Sequence, residues 1–192
     1  LQSSNPTSII GSLDMALSSI LHMGEFATTI GAGDVTGIVQ RLHTFLNGVE
    51  YSFGNQFTSL NFLNIPDKTK PTWVKCKITI GAEPSWKNQA IKRYYSFAQA
   101  GGTDRMIVKL HYLDTELNTN SNLPYEPDES RLVFWDAYNP DNVTPNSFTY
   151  NYPRSFNDKN GNDNWVQLSG PAINYIATSN VLDVKQWGLS YG

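Results

Sequence analysis

The stretch Met106-Ile-Val-Lys-Leu-His-Tyr-Leu113 decides the fold. Met106, Val108, Leu110 and Tyr112 fall on one face; Ile107, Lys109, His111 and Leu113 fall on the other. A period of two is a strand, and the mixed second face predicts partial exposure. An acidic, Asn-rich turn follows over residues 114–122, and then a second strand, Arg131-Leu-Val-Phe-Trp135. Adjacent strands would bury Leu110, Tyr112, Val133 and Trp135 together.

The pattern extends in both directions. Residues 72–80 alternate cleanly, with Val74, Cys76, Ile78 and Ile80 opposing Trp73, Lys75, Lys77 and Thr79. Residues 90–98 form a strand rich in aromatics, turned by Gly101-Gly102. Residues 35–45 read as a long strand with Gly37 at a bulge. Asn47-Gly48 is the strongest hairpin signal, since a type I′ turn needs two positive φ values and Asn-Gly tolerates both. It predicts a return strand over 49–53, followed by a strand over 57–65. Downstream strands are expected over 148–152, 165–168, 172–177 and 184–189, and polar or Pro-containing loops over 123–130, 139–146 and 156–164. Residues 9–26 fit a helix or two short strands, 12–17 and 19–23; the rhythm of the next segment favours strands. At least ten short strands separated by Gly, Pro and Asn turns predict an all-β fold. The expected form is an antiparallel β-sandwich, jelly-roll-like, with a short solenoid-like or strand-arm N-terminal part.

A chain of 192 residues fits one domain. The division expected is an arm over 1–10 and a single sandwich over 11–192, with a sub-boundary near the Pro-flanked loop 66–71. Charged residues make up only 16% of the chain, while it holds 5 Trp, 10 Tyr and 9 Phe. That balance suits an extracellular all-β protein with uncharged polar turns. A net charge of -3 gives no basic footprint for nucleic acid. No apolar run reaches the length of a membrane-spanning helix. The single cysteine, Cys76, cannot form an internal disulfide, and its place in the 72–80 alternation predicts a buried, inert thiol. Leu1 is read as either a processed terminus or the start of a fragment.

No catalytic constellation emerges, so no enzymatic activity is expected. His22, His43 and His111 lie in separate strands, a poor basis for a metal site. Asp114 and Glu116 are a carboxylate pair at a strand end, and a solvated turn accounts for them better than a glycosidase site does. The best metal candidate is Asp158-Lys-Asn160-Gly-Asn162-Asp163, whose oxygens around a glycine suit calcium. A plain Asn-Gly turn is the competing reading. Asp114-x-Glu116-x-Asn118 offers similar oxygens. Trp86, between Ser85 and Lys87 in a loop, is expected to be exposed and is the candidate ligand platform. Ser8, Ile9 and Ile10 close a nearly uncharged arm suited to pair with a sheet edge of another subunit, with a frayed terminus as the competing reading. Asn142-Val-Thr144 is a glycosylation sequon, meaningful only in a eukaryotic secretory route.

Several phrases together resemble β-rich modules of long secreted bacterial cell-surface and matrix proteins. They are Val35-Thr-Gly-Ile-Val-Gln-Arg41, Tyr51-Ser-Phe-Gly54, Ile91-Lys-Arg-Tyr-Tyr95, Leu110-His-Tyr-Leu-Asp-Thr-Glu-Leu-Asn118, Leu132-Val-Phe-Trp135, Asn164-Trp165 and Lys185-Gln-Trp-Gly-Leu189. The similarity runs in order over residues 10–190. Lys92 stands where that pattern has Asn. The resemblance implies export, an all-β module and a structural role in a surface layer, extracellular filament or adhesive matrix. It brings no catalytic residues. The partners expected are other copies in a self-assembled polymer, or neighbouring surface modules. A carbohydrate-binding module is the alternative function, with a glycan as its ligand.

Overall fold

The computed structural model describes residues 2–3, 7–8, 12–16, 18–30, 33–87, 90–117, 132–138, 148–152, 154–158, 165–168 and 185–191. The chain is all-β, a sandwich of two main sheets with a small third one. Its strands are β1 (Gln2–Ser3), β2 (Thr7–Ser8), β3 (Ile20–Met23), β4 (Thr29–Ile30), β5 (Gly37–Leu42), β6 (Glu50–Ser52), β7 (Ser59–Phe62) and β8 (Trp73–Ile80). They continue as β9 (Ala90–Ala100), β10 (Met106–His111), β11 (Leu132–Tyr138), β12 (Phe148–Tyr152), β13 (Arg154–Asp158), β14 (Trp165–Leu168) and β15 (Lys185–Tyr191). One sheet has eight strands in the order β1-β3-β5-β8-β9-β15-β11-β12. The other has five, β13-β14-β10-β7-β6, and β2 pairs with β4 alone.

The first rungs are parallel. Gln2 pairs with His22 and Ile20 with Ile38, while Thr7 pairs with Thr29 in the small sheet. The chain therefore coils between the eight-stranded sheet and the small one before β5, returning about every twenty residues. Parallel neighbours need such a crossover, and here each crossover carries a strand of the small sheet, β2 or β4, instead of a helix. This is the solenoid-like start the sequence hinted at. From β5 onward the pairs of both main sheets are antiparallel.

The alternation decides which face is buried. Val74, Cys76 and Ile78 of β8 and Met106, Val108 and Leu110 of β10 all point into the space between the sheets, where they meet Val39, Leu60, Phe62 and Phe97. Tyr112 is buried just beyond β10. Burying each large apolar side chain contributes about 1.5–3 kcal/mol. Cys76 sits in this core, and burial pushes its thiol pKa well up, which keeps it protonated and inert.

Four local expectations fail. Asn47-Gly48 is not a hairpin, because β5 lies in the eight-stranded sheet and β6 in the five-stranded one. Gly48 has φ +70, but Asn47 has no positive φ, so no type I′ turn forms. Instead the chain crosses between sheets there, with the Gly48 N–H donating to the Phe62 carbonyl at 3.2 Å. Second, β10 and β11 are not neighbours: β10 lies between β7 and β14, and β11 between β15 and β12. Sequence proximity was a poor guide here because the sandwich places these two strands in different sheets. Leu110 and Tyr112 are buried as expected; the side chains of Val133 and Trp135 lie outside the described residues. Third, Arg154–Asp158 is a strand paired with β14, extending into the segment read as a loop. Fourth, within 12–17 the described residues contain only an isolated bridge, Leu13 with Val35. The strand expected over 172–177 lies outside the described residues.

Candidate functional site

The most concentrated charge cluster in the described residues is buried. Ile91, Arg93, Tyr95 and Phe97 share the inward face of β9, and all four are essentially inaccessible. An arginine in such a row must bring its own anions. Arg93 has two. Its Nη1 and Nη2 donate to Asp34 Oδ1 and Oδ2 at 2.8 and 2.7 Å. Its Nε and Nη2 donate to Glu116 Oε2 and Oε1, both at 2.7 Å. Both contacts are bidentate forks, the geometry that guanidinium offers and ammonium does not.

The partners come from three parts of the chain. Asp34 precedes the bridge at Val35, where the parallel coil meets the sandwich. Glu116 closes a single 3-10 turn, Asp114–Glu116, after β10, and its Oε2 also accepts the Leu113 N–H at 2.9 Å. Asn55 Nδ2 donates to Asp34 Oδ1 and to the Gly33 carbonyl, each at 3.2 Å. The Tyr95 hydroxyl donates to the His111 carbonyl and accepts from Thr58 Oγ1. Burial alone would raise the Asp34 carboxyl pKa, but the Arg93 hydrogen bonds and charge outweigh it and hold it below the ordinary value. Burial disfavours the charged form of Arg93 too, and its phenol and carboxylate neighbours more than reverse that, raising its pKa well up. Both carboxylates are thus engaged and shielded, an arrangement that locks segments together and leaves neither one facing solvent.

A second buried arginine works without a carboxylate. Arg41 is 1% exposed. Its Nε donates to the Ser52 carbonyl at 2.9 Å, Nη1 to Gly24 at 2.9 Å and Nη2 to Ala27 at 2.6 Å. Its guanidinium lies 5.5 and 5.7 Å from the ring centroids of Tyr51 and Phe53. Burial lowers its pKa to about 10, so it is charged at neutral pH. Arg41 stitches the turn after β3 to β6. Both arginines were legible as anomalies, a guanidinium placed on an apolar strand face, although their partners were not.

The candidates named from sequence fare differently. Glu116 is not in a solvated turn; it is 5% exposed and belongs to the Arg93 cluster, while Asp114 is exposed. Asn118 lies outside the described residues. Trp86 is not the exposed platform expected, because it is 9% exposed and buried against the Gly188 backbone. A Cβ built on Gly188 would lie 3.4 Å from its ring, so the indole packs directly over this glycine. Asp158 ends β13, paired with Trp165, while Asn160, Asn162 and Asp163 lie outside the described residues. Among the described residues no cluster of three or more metal-ligating side chains occurs. His22 is exposed on β3, His43 half-buried beside Phe45 and Tyr51, and His111 buried in β10. Ser8 pairs with Ile30 of its own chain; Ile9 and Ile10 lie outside the described residues. Among the described residues, no helix is long and apolar enough to cross a membrane.

No family model, curated protein or solved structure matches this chain.

Proposed function

We propose that this chain is an exported structural module of a bacterial cell surface, contributing to a surface layer, filament or adhesive matrix through β-contacts between subunits. One observation carries the reading. Among the described residues, β1 is an uncharged two-residue rung that forms one edge of the eight-stranded sheet. A terminal parallel rung exposes a ladder of backbone donors and acceptors that another strand can continue. Charges and bulges that usually blunt such an edge are missing from Gln2 and Ser3. The ordered surface-protein motifs and the low charge of the chain support the same setting. The β1 edge and the β12 edge at the other end of the sheet are different surfaces. A contact between them is heterologous and need not close, so it would build an open polymer.

In this reading the segment 1–10 pairs with its own chain through β1 and β2, and the neighbour adds outside β1. Lysines introduced at the edge, Gln2→Lys with Ser3→Lys, are expected to abolish assembly followed by light scattering while leaving the melting temperature within a few degrees. Deleting residues 1–10 gives a second check. Undiminished assembly of both variants would refute the role of this edge.

A further inference from the structure

The outer face of the eight-stranded sheet carries a cationic, aromatic surface. The register places His22, Gln40, Lys75 and Ala98 in one row across β3, β5, β8 and β9. On one side of it lie Leu42, Trp73 and Ala100; on the other, Ile20, Ile38, Lys77 and Ser96. None of these residues is acidic. Residues 68–82 hold Lys68, Lys70, Lys75 and Lys77 without one carboxylate, in a chain whose net charge is -3. The described residues of this face therefore contrast in sign with the net charge of the chain.

The relief of the face is low. Ala98 and Ser96 are fully buried and Gln40 nearly so, while Trp73, Lys75 and Lys77 are half-buried, so the accessible part of the face runs over β3, β5 and β8. Leu42, in register with Trp73, is 62% exposed, an unusual position for a large apolar side chain on a strand. Lys75 Nζ lies over one face of the Trp73 ring, 4.8 Å from its centroid, a cation–π contact that leaves only the opposite face of the indole for a ligand. Leu42 also borders two recesses. One is lined by His43, Thr44, Lys70 and Thr72 among others, and the second by His22, Met23 and Gly24. The carboxylate nearest Lys70 is Asp104, paired with it at 3.5 Å.

We infer that this face binds an acidic polysaccharide, with a sugar ring stacked on Trp73 and its carboxylate or sulfate on Lys75. Lys77 adds to the attracting field, and Lys70, His43 and the Thr44 and Thr72 hydroxyls line the recess where the chain continues past Leu42. The apolar C–H face of a pyranose matches an indole, and a charged polymer gains from cations repeated along a strand, roughly 7 Å apart at every second residue. A flat face with one tryptophan, lysines and hydroxyls fits such a polymer better than a deep pocket would. This inference stands independently of assembly through β1.

The test is affinity electrophoresis of the full chain in gels containing polygalacturonate, dextran sulfate or neutral dextran. Retardation by one or both polyanions and none by dextran is expected, and the polymer that retards more identifies the preferred anion. Lys75→Gln with Lys77→Gln should weaken binding roughly tenfold, a modest change in free energy for two lost cations, and Trp73→Ala should weaken it too. Both variants should keep the far-UV circular dichroism of the parent, because these side chains face outward. Lys75→Arg with Lys77→Arg should retain binding. Equal retardation by dextran, none by either polyanion, or undiminished binding by the double Gln variant would overturn the inference. Sedimentation provides a further arm: self-association lost in that variant, with no polyanion binding, would assign the face to an acidic protein surface and also overturn it.

Discussion

Asp34, Arg93 and Glu116 show how an all-β core accommodates charge. The guanidinium satisfies two carboxylates, and each carboxylate is held further by an amide or a backbone N–H. Removing the arginine would strand both anions in the core, so Arg93→Ala should cost about 3–5 kcal/mol, measured by urea denaturation. The pH dependence follows from Asp34. Its folded pKa lies below its ordinary value of 3.8, so the unfolded chain binds a proton more readily. The stability it contributes is complete well above that value and is lost as pH falls below it through the folded pKa. Asp34→Asn should therefore be less stable than the parent at neutral pH, and the gap should narrow below pH 4. A constant gap across that range would contradict the ionised pair. Arg41 makes a different case, since its partners are carbonyls. Arg41→Met should leave those carbonyls unsatisfied and lower stability by about 1–3 kcal/mol for each carbonyl left buried.

At the scale of elements, the turns show what sequence conveys and what it cannot. Gly102 has φ +83, and a Cβ there would lie 2.6 Å from the Pro71 nitrogen. Gly102→Ala combines backbone strain with a clash between two segments, and should lower stability by about 1–3 kcal/mol in a thermal melt. A neutral substitution would mean that Pro71 does not pack there. Strand identity was legible because alternation is a local property: β8, β10, β12 and β14 all fall within the stretches read as strands, and β9 overruns its stretch by two residues. Pairing was not legible, because it depends on which sheet each strand joins. Asn47-Gly48 has the chemistry of a hairpin, yet β6 finds its partner β7 in the opposite layer. The candidate sites suffered similarly. Glu116 looked solvated because Arg93 lies far off in sequence, and Trp86 looked exposed because Gly188 lies farther still. A charged residue on an apolar strand face was the one local clue to the buried cluster.

The whole molecule joins two architectures. A parallel coil over the first rungs feeds an antiparallel sandwich, and Asp34 with Arg41 binds the junction from both sides. The coil leaves β1 at one end of the eight-stranded sheet and β12 at the other. The proposal that this sheet continues from copy to copy is the central claim. Negative-stain electron microscopy of the purified chain at rising concentration tests it most directly. Filaments or ordered layers are expected for the parent chain, and dispersed single particles for the variant carrying Gln2→Lys and Ser3→Lys. Dispersed single particles of the parent chain at every concentration, or identical filaments from both proteins, would contradict it.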